Sequence, residues 1–304
     1  MGFAGNLVSV LVRALHDPGY LVYFFRNYHP IRTRFPRLDT YLIQRSLVAR
    51  LREVPPHDGY RNIHIILRTT DAVVNVNSSR DLEDIGIFTK HDVIRMGARS
   101  VFRAARRFVA KYGVEALRMT IVTDRLSAEG RHLYASFCKE FGVECQFVEA
   151  AQGNAATFRR QIEVAQLDSS DTLVAIFEDD YKCDENMFCE VFDIFNATKG
   201  LLGFCPHFHP DVIRRYTAVR IYKIMGRFYQ AIPKTCCTFF IGAADIAKYR
   251  RHFLRYEGWD DASINDVWQK GICLSPCART LAEHLHRSDL SPVCDIETGF
   301  SNLL

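Results

Sequence analysis

From residue 62 onward, hydrophobic and polar positions along this chain follow two alternating rhythms. NIHIILRTT (62–70) is a short apolar run rich in β-branched residues, the pattern of a buried strand. ARSVFRAARRFVAKYG (98–113) switches to helical spacing, with Val101, Ala105, Phe108, Val109 and Tyr112 on one face and Gly113 ending it. RMTIVTD (118–124) predicts a second strand that finishes on Asp124. Ser127 then reads as the N-cap of a helix carrying Leu133, Phe137 and Phe141, stopped by Gly142. ECQFVE (144–149) and TLVAIF (172–177) predict two more strands, and NAATFRRQIEVAQ (154–166) the helix between them, through Phe158, Ile162 and Ala165.

Strands and helices in this strict alternation predict a doubly wound α/β unit, a mostly parallel Rossmann-type sheet flanked by helices. Sheets of this kind bind ligands outside the carboxyl ends of their strands. Arg68 and Thr69 stand at the first such end, Asp124 at the second, and Glu178, Asp179 and Asp180 at the last.

The pattern continues less regularly. Asp184 is placed to cap a helix through Met187, Phe188, Val191, Phe192 and Phe195, closed by Gly200. LLGFCPHFHP reads as strand and loop, while VIRRYTAVRIYKIMGRFYQAI is basic and aromatic without a clear assignment. TCCTFFIG (235–242) predicts a strand and AADIAKYRRHFLRY (243–256) a helix. No internal repeat or low-complexity segment interrupts this order.

Composition narrows the picture. The 304 residues are 48% hydrophobic and 24% charged, an ordinary globular balance with length for one large domain or two modest ones. A net charge of +4 is too mild to argue for nucleic acid. The ten cysteines form no Cys-x-x-Cys pair, and Cys236 and Cys237 are adjacent, which suits neither a zinc cage nor a disulfide framework. With no signal-peptide pattern, reduced thiols in a cytoplasmic protein are expected, most of them small core residues. No stretch offers the roughly 18 uncharged apolar residues a membrane span needs. Residues 1–60 interleave arginines with large apolar residues, and no Lys occurs before Lys90. They predict a helical extension packed on the main domain. The alternative is an arm that touches a membrane surface or a partner.

Three consecutive carboxylates at the end of a buried strand repel one another unless something positive joins them. A hard divalent cation, Mg²⁺ or Mn²⁺, suits such oxygens and keeps positions open for substrate phosphates. The alternative is a solvated acidic turn that starts the next helix.

The order of elements, with FEDDY at 177–181, resembles the GT-A glycosyltransferases and their Asp-x-Asp-type motif, here in a Glu-Asp-Asp form. IVTD at the second strand, GNAATFRRQIEVA before the acidic strand, GWDDASINDVW and CLSPCARTLAEHLH extend the resemblance over roughly residues 62–295. It implies a GT-A-like fold, with residues 61–200 binding a nucleotide-sugar and 201–304 binding the acceptor. It implies Asp180 as the main metal ligand, with Glu178 and His284 assisting. Arg68, Thr69, Asp124, Asn154, Glu178, Asp179, Trp259 and Arg279 become donor contacts, with Arg287 a further candidate for clamping the diphosphate. Each has a plain alternative: Arg68 pairing with a neighbouring carboxylate, Asp124 or Asn154 capping a turn or helix, Trp259 filling core.

Asp260 and Asp261 become candidates for the general base that deprotonates an acceptor hydroxyl in an inverting transfer, with Asp261 preferred. The expected partners are a nucleotide-sugar donor and a glycan or lipid-linked glycan acceptor. The expected setting is polysaccharide or glycoconjugate biosynthesis, in the cytoplasm or at the cytoplasmic face of a membrane. The HFHPD segment at 207–211 reads as a loop near the acceptor. Two other readings stand beside this one. A sugar nucleotidyltransferase would share the sheet and the metal carboxylates, but LRTTDAVVN lacks its Gly-rich loop. A non-catalytic sugar- or partner-binding relative would carry the acidic motif without using it.

Overall fold

The computed structural model describes residues 48–49, 52–53, 59–71, 90–207, 221–232, 238–255, 260–276 and 280–285. In chain order the strands are β1 (Val48–Ala49), β2 (Arg52–Glu53), β3 (Asn62–Thr69), β4 (Leu117–Thr123), β5 (Gln146–Glu149), β6 (Thr172–Glu178) and β7 (Tyr181–Cys183). They continue as β8 (Thr198–Lys199), β9 (Leu201–Phe204), β10 (Ile221–Ile224), β11 (Arg227–Ala231), β12 (Phe239–Gly242), β13 (Ile272–Pro276) and β14 (Ala282–His284). The helices are α1 (Lys90–Tyr112), α2 (Ala128–Phe141), α3 (Asn154–Ala165), α4 (Met187–Ala197), α5 (Ala243–Phe253) and α6 (Asp260–Trp268).

Ten strands form one sheet in the order β1-β10-β11-β13-β9-β12-β6-β3-β4-β5. The β6-β3-β4-β5 part, four of the ten strands, is parallel throughout. Beyond β6 the sheet is mixed, because β12 runs antiparallel to both β6 and β9 while β9 and β13 are parallel. This is the expected α/β architecture, a sheet with a parallel core flanked by helices.

Alternation in the strands explains the two layers. Ile63, Ile65 and Leu67 of β3 face the core that contains Ala98, Val101, Phe102 and Phe108 of α1. Ile66 faces the opposite core with Phe158 and Ile162 of α3 and Ile246 of α5. β6 divides in the same way, with Leu173, Ala175 and Phe177 on one side and Val174 and Ile176 on the other. Strands covered on both faces are buried at nearly every position, so apolar residues dominate them, and a buried polar residue such as His64 is held by hydrogen bonds.

Two ends follow the expected chemistry closely. Ser127 caps α2 by accepting from the Gly130 amide at 3.0 Å, and Gly142 closes it in the left-handed region at φ 64°. Elsewhere the structure differs from the sequence reading. α1 begins at Lys90, eight residues before the expected start, because Val93 and Ile94 continue its buried stripe. The cap of α4 is Asn186, whereas the Asp184 side chain accepts from the Asn186 amide at 2.9 Å and holds the turn before it. The unassigned basic segment contains the hairpin β10–β11, turning at Met225 (φ 49°) and Gly226 (φ 79°). Two successive positive φ values match the twist of a two-residue hairpin loop. Within 1–60, where helix was expected, the described residues 48–49 and 52–53 are strand, pairing with β10 and β8. The rest of that extension, up to residue 58, lies outside the described residues.

Candidate functional site

Consecutive strands β3, β4 and β5 step outward in one direction, and β6 then returns to the other side of β3. The seam between β3 and β6 is therefore the point where the winding reverses, and the carboxyl ends there diverge to leave a crevice. A cleft open to solvent occupies this position. Its lining includes Arg68, Thr69, Asp124, Asn154, Glu178, Asp179 and Asp180, so seven of the expected site residues meet there.

Arg68 and Glu178 are register partners across the seam. The Arg68 guanidinium donates through Nε to Glu178 Oε1 at 3.1 Å and makes a second contact to the same oxygen through Nη2. Its Nη1 donates to the Asn154 carbonyl at 3.1 Å, tying the start of α3 to the strand ends. Thr69 Oγ1 donates to Asp179 Oδ2 at 2.6 Å. The first carboxylate of the triplet is thus neutralised by a buried arginine. Burial still pushes the Glu178 carboxyl upward; Arg68 pulls the other way, and the Asp180 charge adds to the rise.

Asp180 is held differently. β14 lies antiparallel on β7 with His284 opposite Tyr181. That pairing stacks the two rings at 4.7 Å and brings His284 Nε2 to 3.0 Å from Asp180 Oδ2. The Leu285 amide donates to the Asp180 carbonyl at 2.8 Å. Desolvation alone would raise the Asp180 carboxyl, but the His284 and Arg68 charges outweigh it and hold the group below its ordinary value. Burial pushes His284 the opposite way from its neighbours, and Asp180 and Glu178 prevail, so the ring keeps its proton more firmly than usual. Asp180 Oδ1 is buried and has no hydrogen-bond partner among the described residues. A buried anionic oxygen without a donor is costly unless a ligand completes it.

Asp124 directly follows β4, with its amide on the Thr69 carbonyl at 3.1 Å. Its carboxylate accepts from the Gly153 amide at 2.8 Å and from Arg125 Nε at 2.9 Å. It therefore braces the loop that enters α3, a bracing role that leaves it in the cleft wall. Asn154 is the first residue of α3, and the cap position belongs to Gly153, at φ 100°. The alternative that Asn154 caps this helix is thereby corrected. Its carbonyl instead receives Arg68 and also Thr157 Oγ1 at 2.9 Å.

Of the remaining expected residues, Asp260 and Asp261 form the first turn of α6, and their side chains lie outside the description. Trp259, Arg279 and Arg287 are outside the described residues altogether. Sequence reasoning missed several participants. Thr70, Val93, Ile94, Gly153, Thr157 and Leu285 complete the lining. His207, read as a loop residue, is buried with its ring edge-on to Tyr181 at 5.7 Å and bonded to the Ala282 carbonyl at 3.0 Å. Gly97 packs so closely that an added Cβ would collide with the Asp179 carbonyl. A small residue breaking the charged and apolar pattern of α1 was the one sign of that approach.

The site suits a loosely held hard cation better than a closed cage. Among the described residues, no three His, Cys, Asp or Glu side chains already converge as a ready-made metal site. Mg²⁺-type ions are commonly held by one or two carboxylates plus substrate phosphates, and the orphaned Asp180 oxygen with His284 beside it fits such an open site.

No family model and no curated protein matches the chain. Solved structures do. A mannosyltransferase from Pyrobaculum calidifontis, in complex with GDP-Man and Mn²⁺, matches at TM-score 0.48 and 13% identity over 81% of this chain. The chain spans 63% of that protein. The galactosyltransferase LgtC, in complex with donor and acceptor sugar analogues, matches at TM-score 0.44 and 10% identity, covering 79% of this chain and 94% of its own. A nucleoside-diphosphate-sugar pyrophosphorylase from Vibrio cholerae matches at TM-score 0.43 and 10% identity, covering 75% of this chain and 96% of its own. Likenesses this loose leave the chemistry to be argued from the residues themselves.

Proposed function

We propose that this chain is a metal-dependent, inverting glycosyltransferase that moves a sugar from a nucleoside-diphosphate donor to a hydroxyl of a glycan or lipid-linked glycan acceptor. The observation that carries the reading is the orphaned, buried Asp180 oxygen at the winding reversal of the sheet, with His284 at 3.0 Å from its other oxygen.

In this reading Asp180 would hold the cation, joined by His284 once the metal displaces the proton its ring shares with Asp180, and Glu178 remains with Arg68 as a fixed wall behind it. A divalent metal bound there would neutralise the diphosphate as it departs. Thr69, Asp179 and the Asp124-braced entry to α3 shape the cleft for the nucleoside. Asp261, with Asp260 as the alternative, accepts the acceptor hydroxyl proton while that oxygen attacks the anomeric carbon. The bond from that carbon to the diphosphate oxygen breaks, and the nucleoside diphosphate carries away the electron pair. Single displacement inverts the anomeric centre through an oxocarbenium-like state. The reaction belongs with polysaccharide or glycoconjugate assembly, in the cytoplasm or at the cytoplasmic face of a membrane.

A panel assay tests this. The full chain is incubated with Mn²⁺ and nucleotide-sugars of each base, and nucleoside diphosphate release is followed with and without glycan acceptors. A parallel panel supplies nucleoside triphosphates with sugar 1-phosphates and follows pyrophosphate. Acceptor-stimulated diphosphate release supports the reading. Pyrophosphate release alone overturns it in favour of a nucleotidyltransferase.

A further inference from the structure

Six described cysteines are thiols outside any disulfide, and four of them, Cys183, Cys189, Cys205 and Cys273, are buried. Cys138 and Cys145 are both partly exposed, and their sulfurs are 2.7 Å apart. The closeness follows from the way α2 ends. Gly142, in the left-handed region, sends its amide back to the Cys138 carbonyl, and the Val143 amide bonds to the same carbonyl at 3.1 Å. This capped turn reverses the chain and lays Cys145, one residue before β5, against the last turn of the helix. The contact between the two sulfurs holds the Cys138 thiol below its ordinary value, while the same contact and burial push Cys145 up. One sulfur is thus poised to attack and the other to follow.

We propose that Cys138 and Cys145 form a redox modification site, a dithiol that closes to an intramolecular disulfide by exchange with a low-molecular-weight disulfide. The Cys138 thiolate attacks one sulfur of the small disulfide, giving a mixed disulfide and expelling one thiolate. Cys145 then loses its proton, attacks the Cys138 sulfur and expels the second thiolate. Two protein thiols are oxidised, one small disulfide is reduced, and both protons of the dithiol end on the small thiols. The bond ties the end of α2 to the entry of β5, the last strand of the sheet and only four residues long. The far end of β5 leads into the loop that Asp124 braces at the cleft.

The test uses the full chain in glutathione buffers of increasing oxidised fraction. Samples are quenched with an alkylating agent, digested and mapped by mass spectrometry. The expected result is joint loss of the alkylated Cys138 and Cys145 peptides and their reappearance as one linked pair, lighter by two hydrogens and restored by reduction. Cys183, Cys189, Cys205 and Cys273 stay unlinked. With Cys138→Ser, Cys145 forms no internal link. Separate glutathionylation of the two cysteines overturns the proposal, as does a link from either to another cysteine. So does continued alkylation of both in a buffer that oxidises dithiothreitol. The wild-type map decides the matter even where a serine variant fails to fold.

Discussion

Replacing Arg68 with Met isolates the electrostatic part of the account. The substitution keeps much of the buried stem but removes the guanidinium that bonds Glu178 and the Asn154 carbonyl. That carbonyl still receives Thr157 Oγ1 at 2.9 Å, so it adds little to the loss. Glu178 is the expensive survivor. Breaking a buried ion pair by removing one partner costs roughly 3–5 kcal/mol. The Glu178 side chain keeps 20% exposure and can discharge by taking a proton, which favours the lower end of that range.

The sign with pH follows from that proton. Burial already raises the Glu178 carboxyl, and loss of Arg68 removes an influence that lowers it. The folded variant then holds a proton that the unfolded chain releases above about pH 4.3. The penalty therefore grows as pH rises and shrinks as it falls toward the unfolded value. Urea denaturation of wild type and variant at about pH 5 and about pH 8 should show a loss near 3 kcal/mol at the higher pH and clearly less at the lower. Adding Glu178→Gln to the variant should recover most of it. An equal loss at both pH values, unmoved by Glu178→Gln, would refute the reasoning.

Other expectations concern separate elements. Gly97→Ala forces α1 away from the Asp179 carbonyl and should cost about 1–3 kcal/mol in denaturation while weakening nucleotide binding in the same variant. His64 is buried, with Nδ1 on Asp168 at 2.7 Å and Nε2 on Thr120 Oγ1 at 2.8 Å, and burial lowers its pKa. The unfolded chain therefore binds a proton that the fold excludes. Stability should decline as pH falls through about 6.5 toward the lower folded value, a slope that His64→Gln should flatten in urea titrations. Asp261→Asn should lower turnover by about 10²–10⁴-fold with donor affinity preserved, and Asp260→Asn by much less; the reverse ranking in initial-rate assays would reassign the base.

Legibility in the sequence followed burial. β3, β4 and β6 were readable because cores on both faces bury most of their positions and concentrate apolar, β-branched residues there, and α2 because its cap and stop use residues with local geometric meaning. The beginning of α1 was missed because Val93 and Ile94 sit among polar neighbours and belong to the same stripe only once the helix is drawn. The convergence of Arg68, Asp124 and the acidic triplet was legible from strand ends alone. Its internal wiring was not. The pairing of Arg68 with Glu178 depends on β3 lying beside β6, a long-range register that local pattern does not encode. His284 was suggested by resemblance, but its stacking on Tyr181 and its reach to Asp180 come from the β7–β14 pairing of two three-residue strands, too short to show any period. His207 escaped for the same reason.

The central claim is that Asp180 completes its coordination with a metal that carries a nucleoside diphosphate. Calorimetric titration with UDP, GDP, CDP and dTDP, in Mn²⁺ and in EDTA, tests it on wild type and on Asp180→Asn. The account predicts tight binding of one nucleoside diphosphate in Mn²⁺ only, lost in the variant although its fold, followed by circular dichroism, persists. Binding that is indifferent to EDTA and to Asp180→Asn, or no binding of any nucleotide by the folded wild type, would contradict it.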